Sequence, residues 1–205
     1  MKIKVCGLKD AENATNVAKL NADMLGFIFY EKSPRNAFGI KASFIKSLNA
    51  AQKVAVFVDE SIENIRKICA ERDIKIVQLH GGESPEFCKE AKALGFVVIK
   101  AFQIYDKGDF EKIADYASVC DYALLDTKCD TYGGSGKKFN WGLLGTYRWQ
   151  LPFILSGGIC EDDAEDILSI KNKMFCGVDL NSRFENGQML KDCNKLKNFM
   201  EKIRG

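Results

Sequence analysis

Residues 152–179 read PFILSGGICEDDAEDILSIKNKMFCGVD, and the order of apolar, glycine and helical segments in them decides the fold. Phe153-Ile154-Leu155 is a short apolar run that meets Ser156 and the pair Gly157-Gly158. A helical pattern through Ala164, Ile167 and Leu168 follows, and a second apolar run ends in Gly177-Val178-Asp179. This is one β-α-β beat with a glycine at each strand exit. Glycine there lets the backbone approach a ligand, and amides opening a following helix favour an anion. Either these glycines only make tight turns, or the beat holds a phosphate, as the last two strands of an eight-beat barrel do.

Working outward, the same alternation recurs along the chain. Further strand-like runs fall at 3–5, 24–29, 54–58, 75–79, 96–101 and 121–125. Helical patterns lie near 11–20, 42–48, through Ile65 and Ile68, near 110–116 and at 189–203. Another helix opens at Ser84-Pro85-Glu86, a cap followed by proline in the first turn. Strands alternating with helices predict a parallel sheet. Eight of them predict a (β/α)8 TIM barrel, one domain over residues 1–205 with few embellishments; a doubly wound open sheet is the competing arrangement. The barrel is favoured because Cys6, Arg35, Asp59, His80, Asp126, Gly157 and Asp179 follow successive strands, and so face one mouth.

Composition narrows the class. The 205 residues are 46% hydrophobic, enough for one well-cored domain and short for two. Thirty Lys and Arg against 28 Asp and Glu leave a net charge of +2, too balanced for nucleic acid or an anionic membrane as partner. The start, MKIKVCGLKD, has no apolar signal core, and no run reaches the roughly 18 residues of a membrane helix. Eight cysteines sit mostly within apolar or helical patterns, without C-x-x-C spacing, and one histidine completes no Cys/His metal site. A cytoplasmic chain with reduced thiols and no metal is expected.

Several residues at strand exits have chemistry to offer. Cys6, in KVCGL, is either a buried structural thiol or a thiolate that takes a proton. Asp126, after Leu124-Leu125, is either a turn cap or a carboxyl group facing a shielded pocket. As a pair they form a base and an acid on opposite sides of a sugar. Arg35, in SPR, either clamps a carboxylate or lies solvated in its loop. His80 either contacts substrate or hydrogen-bonds at its strand end. The glycine-rich stretch 131–141, TYGGSGKKFNW, lacks the lysine spacing of a P-loop and reads as a lid over the mouth.

The segments KVCGL, GFIFYEKSPR, VAVFVD, VQLHGGES, LLDT, GGSGKKFNW, PFILSGGI and GVDLNSRFENGQMLKD occur in the order seen in the phosphoribosylanthranilate isomerase family, which the chain resembles over nearly its whole length. The resemblance implies a (β/α)8 barrel of tryptophan biosynthesis acting on a small phosphosugar, without cofactor or metal, as monomer or homodimer. It also implies Cys6 as general base, Asp126 as general acid and Arg35 against the anthranilate carboxylate. Gly157, Gly158, Gly177 and the stretch after it (Asp179, Asn181, Ser182, Arg183) would hold the phosphate. The reaction it implies is an Amadori rearrangement of N-(5-phosphoribosyl)anthranilate to 1-(2-carboxyphenylamino)-1-deoxyribulose 5-phosphate.

The chain departs from the family pattern in three places. Ser135 stands where threonine is usual, Asn140 where aspartate is usual, and Asn181-Ser182-Arg183 where a small Ser-Ser-Gly run is common. Arg183 either joins the phosphate site or points outward. Two rival readings are the related histidine-pathway isomerase, expected to carry aspartate at the place of Cys6, and a barrel that binds phosphate without turnover.

Overall fold

The structure, a computed structural model, describes residues 1–48, 52–127 and 138–205. Eight parallel strands close on themselves in sequence order: β1 (Lys2–Val5), β2 (Met24–Ile28), β3 (Gln52–Phe57), β4 (Ile76–Leu79), β5 (Val97–Ile104), β6 (Tyr122–Thr127), β7 (Phe153–Leu155) and β8 (Phe175–Leu180). Pairing of Lys2 with Gly177 through Val5 with Leu180 seals the ring. The expected barrel is therefore present, and the open sheet is not. Around it run α1 (Ala11–Ala18), α2 (Ala42–Ser47), α3 (Ile62–Arg72), α4 (Pro85–Ala93), α5 (Ala164–Ser169) and α6 (Cys193–Arg204). Among the described residues, no helix is long and apolar enough to cross a membrane.

Two-residue alternation along each strand separates two cores. Ile3, Val5, Leu25, Phe27, Ala55, Phe57, Val77 and Leu79 face the helices in one large apolar cluster. Met24, Val54, Val56, Ile76, Ile99, Leu124 and Ile154, with Cys6, fill the barrel interior in a second. The same alternation continues upward into polar residues, so the inward row ends in Cys6, Gln78 and His80, Asp126, Ser156 and Asp179 at the C-terminal mouth.

Local chemistry fixes the helix starts. Asp10 accepts from the Asn13 amide, Ser61 from Asn64 and Ser84 from Phe87, each as an N-cap. Two helices differ from expectation. Residues Lys107–Tyr116 form a 3-10 helix. Phe110 and Ile113 bury themselves three residues apart, and Tyr116 packs on Phe102 three residues further on, a spacing that suits three residues per turn. The closing helix starts at Cys193 rather than 189, because Asp192 accepts from the Asn194 and Lys195 amides. The residues before it instead fold back, with Glu185 bridged to Lys191. Of the lid expected at 131–141, residues 131–137 lie outside the described residues.

Candidate active site

A cavity at the C-terminal mouth is lined from both sides by the inward row. Cys6 follows β1 and is 2% exposed, its amide bonded to the Leu180 carbonyl at 2.9 Å. Asp126 lies three strands away around the ring, in β6. Together they face one space that also reaches Arg35, His80, Gly157 and Gly158. Asp179, Asn181, Ser182 and Arg183 line it as well. The structure thus gathers ten of the eleven expected site residues at one mouth.

Gly177 is the exception. It lies inside β8, level with Lys2 on β1 and Ile154 on β7, below the mouth. A Cβ there would come within 2.5 Å of the Lys2 carbonyl oxygen, so close strand packing explains this glycine. Asp59 is also no part of the cavity wall. Its carboxylate accepts from the Gly82 amide at 2.6 Å and pins the turn after β4. Asn140, whose lost charge stood out in the sequence, caps a 3-10 turn at Trp141–Thr146 by accepting from the Gly142 amide.

Asp126 is held on both oxygens. Oδ1 accepts from the Thr127 amide at 2.8 Å, and His80 Nε2 lies 3.5 Å from Oδ2. The Gln78 side-chain amide donates to His80 Nδ1 at 2.8 Å. That bond leaves the ring hydrogen on Nε2, the nitrogen facing Asp126. Gly157 has φ +87°, and a Cβ on it would stand 2.8 Å from Asp126 Oδ1. Glycine at 157 therefore leaves room for the carboxyl group as well as for a ligand. Gly158 follows at φ +68°, so two consecutive residues present bare backbone to the cavity.

On the opposite wall, Arg35 is committed along one edge. Its Nε and Nη2 each donate to a Glu185 oxygen at 2.8 Å. Lys191 Nζ donates to the same carboxylate at 2.5 Å and to Asn181 Oδ1 at 2.7 Å. Gly7, at φ +77°, admits this cluster: a Cβ there would meet Asn181 Oδ1 at 2.7 Å and Arg35 Cδ at 2.9 Å. Burial alone would raise Glu185, but the Arg35 hydrogen bonds and the Lys191 charge hold its carboxyl below the ordinary range. Lys191 is lowered, chiefly by burial.

Beneath Cys6, Lys4 Nζ donates to Asp179 Oδ1 at 2.8 Å, and Ser156 Oγ donates to Oδ2 at 3.3 Å. Burial pushes the Cys6 thiol above its usual value; Lys4 and Lys191 act against that rise, while Asp179 adds to it. Among the described residues no group of three or more His, Cys, Asp or Glu is arranged to hold a metal.

Sequence reasoning missed Lys4, Gln78, Ser156, Glu185 and Lys191. Lys4 and Gln78 left a signal, standing two residues before Cys6 and His80 and so on the same face of their strands. Glu185 and Lys191 left none, since their meeting depends on the fold-back after β8.

Comparison with known proteins points one way. A profile of the family described as N-(5'phosphoribosyl)anthranilate (PRA) isomerase matches residues 3–202. An N-(5'-phosphoribosyl)anthranilate isomerase from Parabacteroides distasonis is 44% identical over 207 residues, covering 99% of this chain and 93% of its own. The crystal structure of phosphoribosyl anthranilate isomerase from Thermotoga maritima superposes with a TM-score of 0.86 at 32% identity, over 100% of this chain and 99% of that one. A phosphoribosyl anthranilate isomerase solved with reduced 1-(o-carboxyphenylamino)-1-deoxyribulose 5-phosphate gives 0.83 at 28% identity, with the same coverage.

Proposed function

The chain belongs to the N-(5'-phosphoribosyl)anthranilate isomerase family and is an isomerase of tryptophan biosynthesis, and from that footing we propose which of its residues carry the reaction. The substrate is N-(5-phosphoribosyl)anthranilate and the product its 1-deoxyribulose isomer. Asp126, protonated, gives its proton to the ribose ring oxygen as the furanose opens to a Schiff base. Cys6, as thiolate, removes the proton from C2. The resulting enolamine relaxes to the ketone. The observation that carries this reading is that a thiol and a carboxyl group face one cavity from β1 and β6, with anion-binding groups on the remaining walls.

Those walls divide the substrate. Arg35 has five N–H donors, and Glu185 takes two of them along the Nε edge. The remaining edge meets the anthranilate carboxylate. Gly157, Gly158, Asn181, Ser182 and Arg183 hold the phosphate at the mouth. His80 keeps its Nε2 hydrogen directed at Asp126 and orients the acid. Proton transfer by positioned groups accelerates reactions by typically about 10²–10⁴-fold, so the phosphate and carboxylate grips supply much of the remaining acceleration through positioning. The enzyme works in the cytoplasm, a reading that rests on the sequence.

Turnover is tested by adding N-(5-phosphoribosyl)anthranilate to the purified chain and following the loss of anthranilate fluorescence. Enzyme-dependent loss with ketose product is expected. Tight binding without turnover would leave a phosphate-binding barrel instead.

A further inference from the structure

Lys4, two residues before Cys6 on β1, carries a buried ammonium to which the proposed reaction gives no role. It is 1% exposed, and its Nζ reaches Asp179 Oδ1 at 2.8 Å. Its other neighbour is the base. A Cβ built on Gly26, across on β2, would stand 3.1 Å from Lys4 Nζ and 2.8 Å from Cys6 Sγ. Both atoms therefore converge on the same bare glycine, since residues two apart on β1 face the same side. A buried ammonium needs compensating charge. Asp179 provides one anion, fastened from behind by the Ser156 hydroxyl. Cys6 itself lines the cavity.

We propose that Lys4 is the positioning residue of the base: its ammonium draws the Cys6 sulfur toward the thiolate and aims it into the cavity, and Asp179 competes with that sulfur for the ammonium. The proposal rests on Cys6 being the base. Other charged groups face the same sulfur, and their weight differs. Lys191, after β8, and Arg35, after β2, interact with Cys6 from the rim, but both are tied to Glu185. His80 from β4 and Asp126 from β6 face the cavity from its other wall. Asp179, on β8, opposes thiolate formation, while Lys4 is the strongest charge acting in its favour. Burial, the largest influence on Cys6, acts against the thiolate, so loss of Lys4 leaves that influence unopposed from below.

The test reads the thiol itself. Iodoacetamide alkylation of Cys6, followed by mass spectrometry of its peptide, is measured against pH for wild type, Lys4→Met, Lys4→Arg and Asp179→Asn, beside the pH profile of kcat/KM. Lys4→Met should move the alkylation midpoint up by one pH unit or more and cut kcat at neutral pH at least tenfold, with a smaller change in KM. Lys4→Arg should restore part of the midpoint shift. Asp179→Asn removes an anion from beside the sulfur and should move the midpoint down, which keeps the proposal open to refutation even if Lys4→Met does not fold. A folded Lys4→Met with an unmoved midpoint, or an Asp179→Asn midpoint that stays or rises, overturns it. If the alkylation midpoint moves in Lys4→Met while the kcat/KM profile does not, the coupling of Lys4 to Cys6 stands, and it is the role of Cys6 as base that falls.

Discussion

Arg35 and Glu185, 150 residues apart in the chain, meet edge to edge, with Nε on Oε1 and Nη2 on Oε2, both at 2.8 Å. Their side chains are 13% and 5% exposed, so the pair is shielded from solvent. A guanidinium fixed on one edge is not a loose loop arginine. Its plane is set before substrate arrives, and the free edge points where a second carboxylate can be gripped without further loss of side-chain entropy.

Arg35→Lys replaces the fork by a point charge that cannot satisfy Glu185 and a substrate carboxylate together. KM for N-(5-phosphoribosyl)anthranilate should rise about tenfold or more, the equivalent of about 1.4 kcal/mol, with a smaller fall in kcat. Steady-state kinetics check this. Unchanged constants would return Arg35 to a structural role.

Glu185→Gln carries a stability signature with a definite sign. The carboxyl group is held below its ordinary value in the folded protein, so the unfolded chain takes up its proton first as the solution is acidified. Its contribution is thus present above about pH 4.3, the unperturbed value, and is lost as pH falls through the folded value. Wild type should exceed Glu185→Gln in urea midpoint near neutrality, and the gap should close below about pH 4. A gap that is the same at pH 3.5 and pH 7 would show that Glu185 contributes through packing alone.

Asp126→Asn keeps the shape of the side chain and removes the proton donor. A fall in kcat of about 10²–10⁴-fold is expected, with binding of a reduced product analogue retained. If rate and pH profile both survive, ring opening uses another group. Gly157→Ala should also lower kcat, since at a φ of +87° its Cβ would run into the Thr127 hydroxyl and amide nitrogen and stand 2.8 Å from Asp126 Oδ1, displacing the acid.

The proposed phosphate site predicts that sulfate or inorganic phosphate competes with substrate and raises the melting temperature, as any ligand selective for the folded state does. Arg183→Ala should weaken that anion several-fold if its side chain joins the site. Unchanged affinity would assign the grip to Gly157, Gly158 and the backbone after Asn181. An anion that neither competes nor stabilises would remove the phosphate reading of the last two strands.

Much of this was legible in the sequence because a closed parallel barrel converts order along the chain into order around a ring. Period-two patterning and a polar residue after each apolar run place Cys6, His80, Asp126 and Asp179 on one mouth. The same logic misplaced Gly177, since a glycine near a strand end also serves close strand packing, and only the pairing register with Lys2 separates the two roles. It passed over Lys4, because a lysine in a strand is usually solvated and its burial depends on Asp179, 175 residues away. The Glu185–Lys191 fold-back and the 3-10 geometry at Lys107–Tyr116 arise from caps and contacts that helical periodicity does not register.

The central claim is that Cys6 takes the proton from C2, and Cys6→Ala tests it most directly. Turnover of N-(5-phosphoribosyl)anthranilate should fall by about 10²-fold or more, while the variant stays folded and binds a reduced product analogue as wild type does. Wild type assayed with substrate deuterated at C2 should show a primary isotope effect on kcat wherever proton removal limits the rate. A folded Cys6→Ala enzyme that turns over at close to the wild-type rate would contradict the account and return Cys6 to the barrel core.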